Sequence, residues 1–240
     1  MPNTIVEKVK QELTLEKVLI AAIKSPGVKI RRDVFLRKEL LKYCREDVIN
    51  EAIRTNPAKA GISKDTINKI SKAVINYETT KVTGISVAAS LPGSSVVAAT
   101  ADITSYFAFI LRTVQELAYL YGFEQFDFSE DNVDSETMNF ILVFLGVMYG
   151  VQGATTTLNK VANTLSAHMA KKLSQQALTK GSIYPIVKKV ATSVGIRMTK
   201  QIFADTVASG IPILGSVVSG GITYKMFKPR CMELRRKLMS

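Results

Sequence analysis

Four polar side chains line one side of an otherwise apolar segment, ATADITSYFAFILRTVQELAYLYG: Asp102, Ser105, Arg112 and Glu116. At about 100° per residue they share an arc of roughly 80° with Phe109, so a helix here presents one narrow polar stripe. A carboxylate, a hydroxyl and a guanidinium on such a stripe can grip a polar small molecule inside a bundle. They can equally tie one helix to its neighbours. Charges among apolar neighbours must be paired, because breaking a buried pair costs about 3–5 kcal/mol. The expectation is therefore that Asp102 and Arg112 each meet a partner on an adjacent helix. Glu116, four residues after Arg112, has the weaker orientation for a pair along one helix and adds about 0.3 kcal/mol.

The remaining catalytic inventory is thin. His168 is the one histidine. A metal site built on paired histidines is excluded, and a Ser-His-Asp triad would need this residue. Its spacing in TLSAHMAKKL puts it at the edge of an apolar stripe, the position of an ordinary boundary histidine. No G-x-S-x-G, G-x-x-x-x-G-K-[ST] or G-x-G-x-x-G element occurs in the setting its chemistry needs. The two cysteines, Cys44 and Cys231, have no metal-ligand spacing around them and point to a reducing compartment. No cofactor is expected. The inventory favours a protein without a self-contained active site, and a binding site or soluble enzyme around Asp102 and Arg112 is the alternative.

The elements that must position these residues read as helices throughout, so the fold class is all-α: a bundle with long central helices and two Pro/Gly-bent hairpins of small residues. Ile5, Val6, Val9, Leu13 and Ile20 recur on one face until the Pro26–Gly27 break. Asp33 is the expected N-cap of a helix carrying Phe35, Leu36, Leu40 and Tyr43. A short helix ends before Pro57, and Ser63 caps a long one that runs towards Pro92–Gly93. The segment with the polar stripe closes at Gly122. An acidic loop leads to MNFILVFLGVMYGV, apolar nearly all round except for Asn139. Residues 94–122 packed against 138–151 and the two bends are the expected core. Residues 1–60 form an N-terminal helical segment and 61–240 a larger helical domain, joined in one compact unit.

Charge is unevenly distributed. Of 32 basic and 20 acidic residues, 1–80 hold 16 and 10, 81–160 hold 3 and 8, and 161–240 hold 13 and 2, giving +6, −5 and +11. Such asymmetry points to an anionic partner. Nucleic acid is disfavoured, because the last third interleaves few aromatics (Tyr184, Phe203, Tyr224 and Phe227) and has no binding motif. The stretches Val82–Ala101, Thr137–Asn159 and Thr206–Tyr224 carry no charge over 20, 23 and 19 residues. Their length would permit a span of about 20 residues. In the third, however, ten of nineteen residues are Gly, Ser, Thr or Pro and Pro212 splits the run. A close-packed bent hairpin is the expectation there. Lys225, Lys228, Arg230, Arg235, Arg236 and Lys237 follow directly and form the expected contact with an anionic membrane surface, assisted by apolar residues 211–227. The N-terminus has no apolar secretory region, which predicts a cytoplasmic protein, peripheral on the membrane or bound to a membrane protein.

A short internal similarity links Val87–Pro92 with Val207–Pro212, both bends of small residues that let backbones approach closely. Together these segments resemble the EcsC family of bacterial proteins. The resemblance rests on Pro92, Gly93, Asp102, Arg112, the run Leu117 to Gly122, and the distal Pro212, Gly215, Gly220 and Gly221, over roughly residues 60 to 230. It implies a helical protein of unestablished biochemical role; the family takes its name from a gene product encoded beside an ABC transporter. The hydrolase label attached to the family has no catalytic motif here.

Overall fold

The computed structural model describes residues 15–89, 96–128, 135–162, 180–193 and 220–239. Those residues form nine helices and no strand: α1 Leu15–Lys24, α2 Arg32–Leu40, α3 Glu46–Arg54, α4 Lys64–Ala89, α5 Val96–Leu120, α6 Ser135–Met148, α7 Ala154–Ala162, α8 Lys180–Ser193 and α9 Gly220–Met239. The all-α expectation holds. None of these helices is long and apolar enough to cross a membrane.

Local chemistry explains where the elements begin and end. α1 buries Leu15, Val18, Leu19, Ala22 and Ile23, the spacing of one helical face, and stops where Gly27 takes φ +75°. Ser63 Oγ accepts the backbone N–H of Thr66 at 3.1 Å, capping α4 as expected. Asp33 does not cap α2. The helix starts two residues earlier than that cap implies, behind Arg31, and Asp33 instead pairs with Arg31 at 2.6 Å. α5 closes at Gly122, with φ +94° and the Phe123 N–H returning to the Ala118 carbonyl at 2.9 Å.

α5 is the central element, and nearly every residue from Tyr106 to Leu120 is buried. Its closest neighbours are α4 and α1, with α9 and α2 beside them, and it meets the expected partner 138–151 directly where the Tyr106 and Tyr149 hydroxyls lie 3.1 Å apart. Further along, the contact runs through the connecting segment 123–128. Phe123 and Phe126 wedge between α5 and α6, their rings 5.4 and 5.7 Å from Phe144, and the two apolar surfaces meet through that aromatic layer. α6 lies directly on α7, α8 and α9. Gly146 permits that approach, since a Cβ there would lie 2.9 Å from the Ala154 Cβ. The helices before residue 60 share one hydrophobic core with those after it.

Candidate functional site

The stripe on α5 finds its partner on α4. That helix buries Ile67, Ile70, Ser71, Val74, Ile75, Glu78 and Val82, a three-and-four spacing in which Glu78 occupies a core position with no exposed surface. Arg112 meets it with two donors, Nε to Oε2 at 3.3 Å and Nη2 to Oε1 at 3.2 Å, a forked contact suited to a carboxylate. The third limb of the guanidinium, Nη1, donates to the Gly27 carbonyl in the α1–α2 link. One side chain thus joins α4, α5 and the N-terminal helices. Lys81 Nζ stands 3.5 Å from Glu78 Oε1 at the outer edge.

Glu116 completes the cluster awkwardly. Its Oε1 lies 3.5 Å from Arg112 Nη2, whereas Oε2 is buried without a hydrogen-bond partner. Burial, reinforced by the Glu78 charge and opposed by Arg112, pushes its carboxyl up to about 8. Two carboxylates share one guanidinium, and Glu116 is the one that keeps its proton at neutral pH. A carboxyl titrating there has the acidity of a general acid or base. Its Oε2 is shut from solvent, so the proton is held inside the bundle.

The expected set around Arg112 is therefore partly assembled. Arg112 and Glu116 belong to one cluster, and Arg112 meets a partner on a neighbouring helix as the stripe implied. Ser105 is half-buried two turns earlier and takes no part. Asp102 falls within α5, but its side chain lies outside the described residues, as does His168. Glu78 was missed, although a glutamate in register with Ile67, Ile70, Val74 and Ile75 is a legible signal. Arg32 was missed as well. Its buried guanidinium donates to the carbonyls of Ala52, Ile53, Thr55 and Phe123, closing the C-terminus of α3.

The basic C-terminal set is dispersed, and part of that expectation is corrected. Arg235 is buried and donates to Ser71 Oγ at 2.9 Å and to Asn68 Oδ1, pinning α9 to α4. It cannot contact a membrane surface. Phe227, Cys231 and Leu234 have no exposed surface, because the apolar face of α9 is a wall of the core. Phe227 is accordingly unable to assist at a bilayer. Arg236 is exposed and bound to Glu233 Oε1 at 2.6 Å, while Arg230 lies over the Tyr149 ring, 5.0 Å from its centroid. Lys228 and Lys237 are half-buried; the side chain of Lys225 lies outside the described residues. Gly220 and Gly221 form the first turn of α9 rather than a bend, since the helix runs unbroken from Gly220. Pro92, Gly93, Pro212 and Gly215 lie outside the described residues.

A groove of about 290 Å³ opens elsewhere, at the end of the bundle, between Ala58, Ile62, Ile67, Leu120, Leu238 and Met239, with Lys64 on its wall. Among the described residues no group of histidine, cysteine and acidic side chains is placed to hold a metal ion. No protein-family model, curated protein or solved structure matches the chain.

Proposed function

We propose that the protein is an EcsC-like, non-enzymatic accessory protein that associates peripherally with an anionic membrane surface. The observation that carries this reading is the sign of the charge left over once internal pairs are formed. Seven acidic side chains (Asp33, Glu39, Glu46, Asp47, Glu51, Glu78 and Glu233) are engaged in ion pairs. Lys24, Lys59, Lys64, Lys69 and Lys72 are exposed with no ion pair among the described residues, against Glu16, Asp65 and Glu124 on the acidic side. Against a net charge of +12, that leaves a predominantly basic outer surface. Each cation close to an anionic leaflet contributes about 1 kcal/mol, so a handful suffices for reversible attachment.

The ionic cluster fits this reading better than an enzyme. Its carboxylates face Arg112 inside the bundle, with no exposed oxygen on Glu78. Flotation with vesicles containing phosphatidylglycerol tests the reading. Binding at low salt that fades as salt rises is expected, because exposed charges are screened beyond about 8 Å at physiological ionic strength. Absence of binding at every salt concentration overturns it, and salt-resistant recovery means that the chain inserts instead.

A further inference from the structure

Five large apolar side chains stand out as exposed among the described residues, and four occur on α2, on the turn after it, or beside it on α4. Val34 is 54% exposed, Leu41 58%, Tyr43 49% and Tyr77 56%. Val34 and Leu41 are seven residues apart and lie one above the other on the side of α2 opposite its buried Phe35, Leu36 and Leu40. Lys38 sits between them and reaches over the Tyr77 ring, 5.8 Å from its centroid. Lys81 approaches that ring at 4.2 Å. Tyr43 follows in the turn, next to Lys42. Single apolar side chains scattered over a surface need no explanation, but a group joined by lysines and aromatic rings does.

The charges around the group are unequal. Glu39 is shared by Lys38 and Lys42, at 3.0 and 3.1 Å, and Glu78 is shared by Lys81 and Arg112, at 3.5 and 3.2 Å. Four cations therefore face two carboxylates, and the patch keeps a net charge of 4 − 2 = +2 while Glu116 holds its proton. Lys38 and Lys42 keep most of their side-chain surface open to solvent. Tyrosines with a wet hydroxyl and lysines whose stems lie along apolar neighbours suit the boundary between headgroups and acyl chains.

We infer that the outer face of α2, with Tyr77 of α4, is the surface that docks on an anionic bilayer: Val34, Leu41, Tyr43 and Tyr77 enter the headgroup region and Lys38, Lys42 and Lys81 meet lipid phosphates. This rests on the membrane reading above and relocates the contact from α9 to the opposite end of the sequence. An amphipathic surface of this kind binds by apolar burial and by attraction to anionic lipid together. A neutral protein partner would use the apolar members and leave the lysines without a role.

The chain contains no tryptophan, so Tyr77→Trp in the full-length protein gives a single reporter on the patch. With vesicles of equal phosphatidylglycerol and phosphatidylcholine, its emission is expected to shift to shorter wavelength and to be quenched by lipids brominated on their acyl chains. Val34→Ser with Leu41→Ser is expected to lower the vesicle partition coefficient on the order of tenfold, with an unchanged circular dichroism spectrum. Vesicle binding with an unquenched tryptophan and an unaffected double variant overturns this face, leaves the membrane reading standing, and points the patch to a protein. No binding by the wild-type chain overturns both.

Discussion

α9 and α2 are opposites. α9 is the more basic in sequence, with Lys225, Lys228, Arg230, Arg235, Arg236 and Lys237, yet it buries Phe227, Cys231, Leu234 and the guanidinium of Arg235. α2 shows almost no amphipathic order along its nine residues, buries Arg32 and Glu39, and turns Val34 outwards. The cause lies in what each helix packs on. α9 lies along α4, where Ser71 and Asn68 offer oxygen acceptors to an inward-facing arginine. α2 has the α3 carbonyls and the 123–128 segment to satisfy Arg32, so that arginine goes in beside Phe35, Leu36 and Leu40 while Val34 remains outside. A cation in the sequence reports a charge, and only the neighbouring helix decides whether that charge faces solvent.

The largest test of this contrast is Phe227→Ala. A core position costs about 3–5 kcal/mol on truncation, and chemical denaturation should read that loss. A value near zero would return α9 to the surface. Arg235→Ala comes next, at about 2–3 kcal/mol, because Ser71 and Asn68 lose their charged partner; Arg235→Lys should recover little, since a single ammonium cannot reproduce the fork.

The third test uses pH. Glu116 has its folded-state value raised from 4.5 to about 8, so its contribution is full below 4.5 and is lost as pH climbs to about 8. Thermal melts should show stability falling across that window, and Glu116→Gln should flatten the fall by more than about 1 kcal/mol. An unchanged slope in the variant would mean that other groups set it. The smallest expected effect is on the other helix: Val34→Ser with Leu41→Ser should change stability by no more than about 0.5 kcal/mol, the range for open surface. A larger loss would show that these side chains are packed.

The fold class was legible because helical periodicity and Pro/Gly breaks act locally: Ser63 caps, Gly122 closes and Pro26–Gly27 interrupts as their chemistry dictates. The polar stripe also pointed to a partner for Arg112 on a neighbouring helix, because a charge on an apolar helix must find one. The identity of that partner was not legible from α5 alone, since Glu78 lies 34 residues away and becomes visible only when the apolar register of α4 is read as a face. Arg235 misled for a related reason. On a helical wheel it sits at the flank of the Phe227–Leu234 stripe, and its long side chain can turn either way. Val34, Leu41 and Tyr77 gave no signal because exposure of an apolar residue depends on what fails to cover it.

The central claim is attachment to an anionic membrane surface through reversible charge attraction and shallow apolar contact. Its most direct test is flotation of the full-length protein with phosphatidylglycerol-containing vesicles at low and high salt, beside neutral vesicles. The account predicts recovery with anionic vesicles at low salt, a progressive fall as salt rises, and little recovery with phosphatidylcholine alone. Equal recovery on both lipids, or none on either, contradicts it.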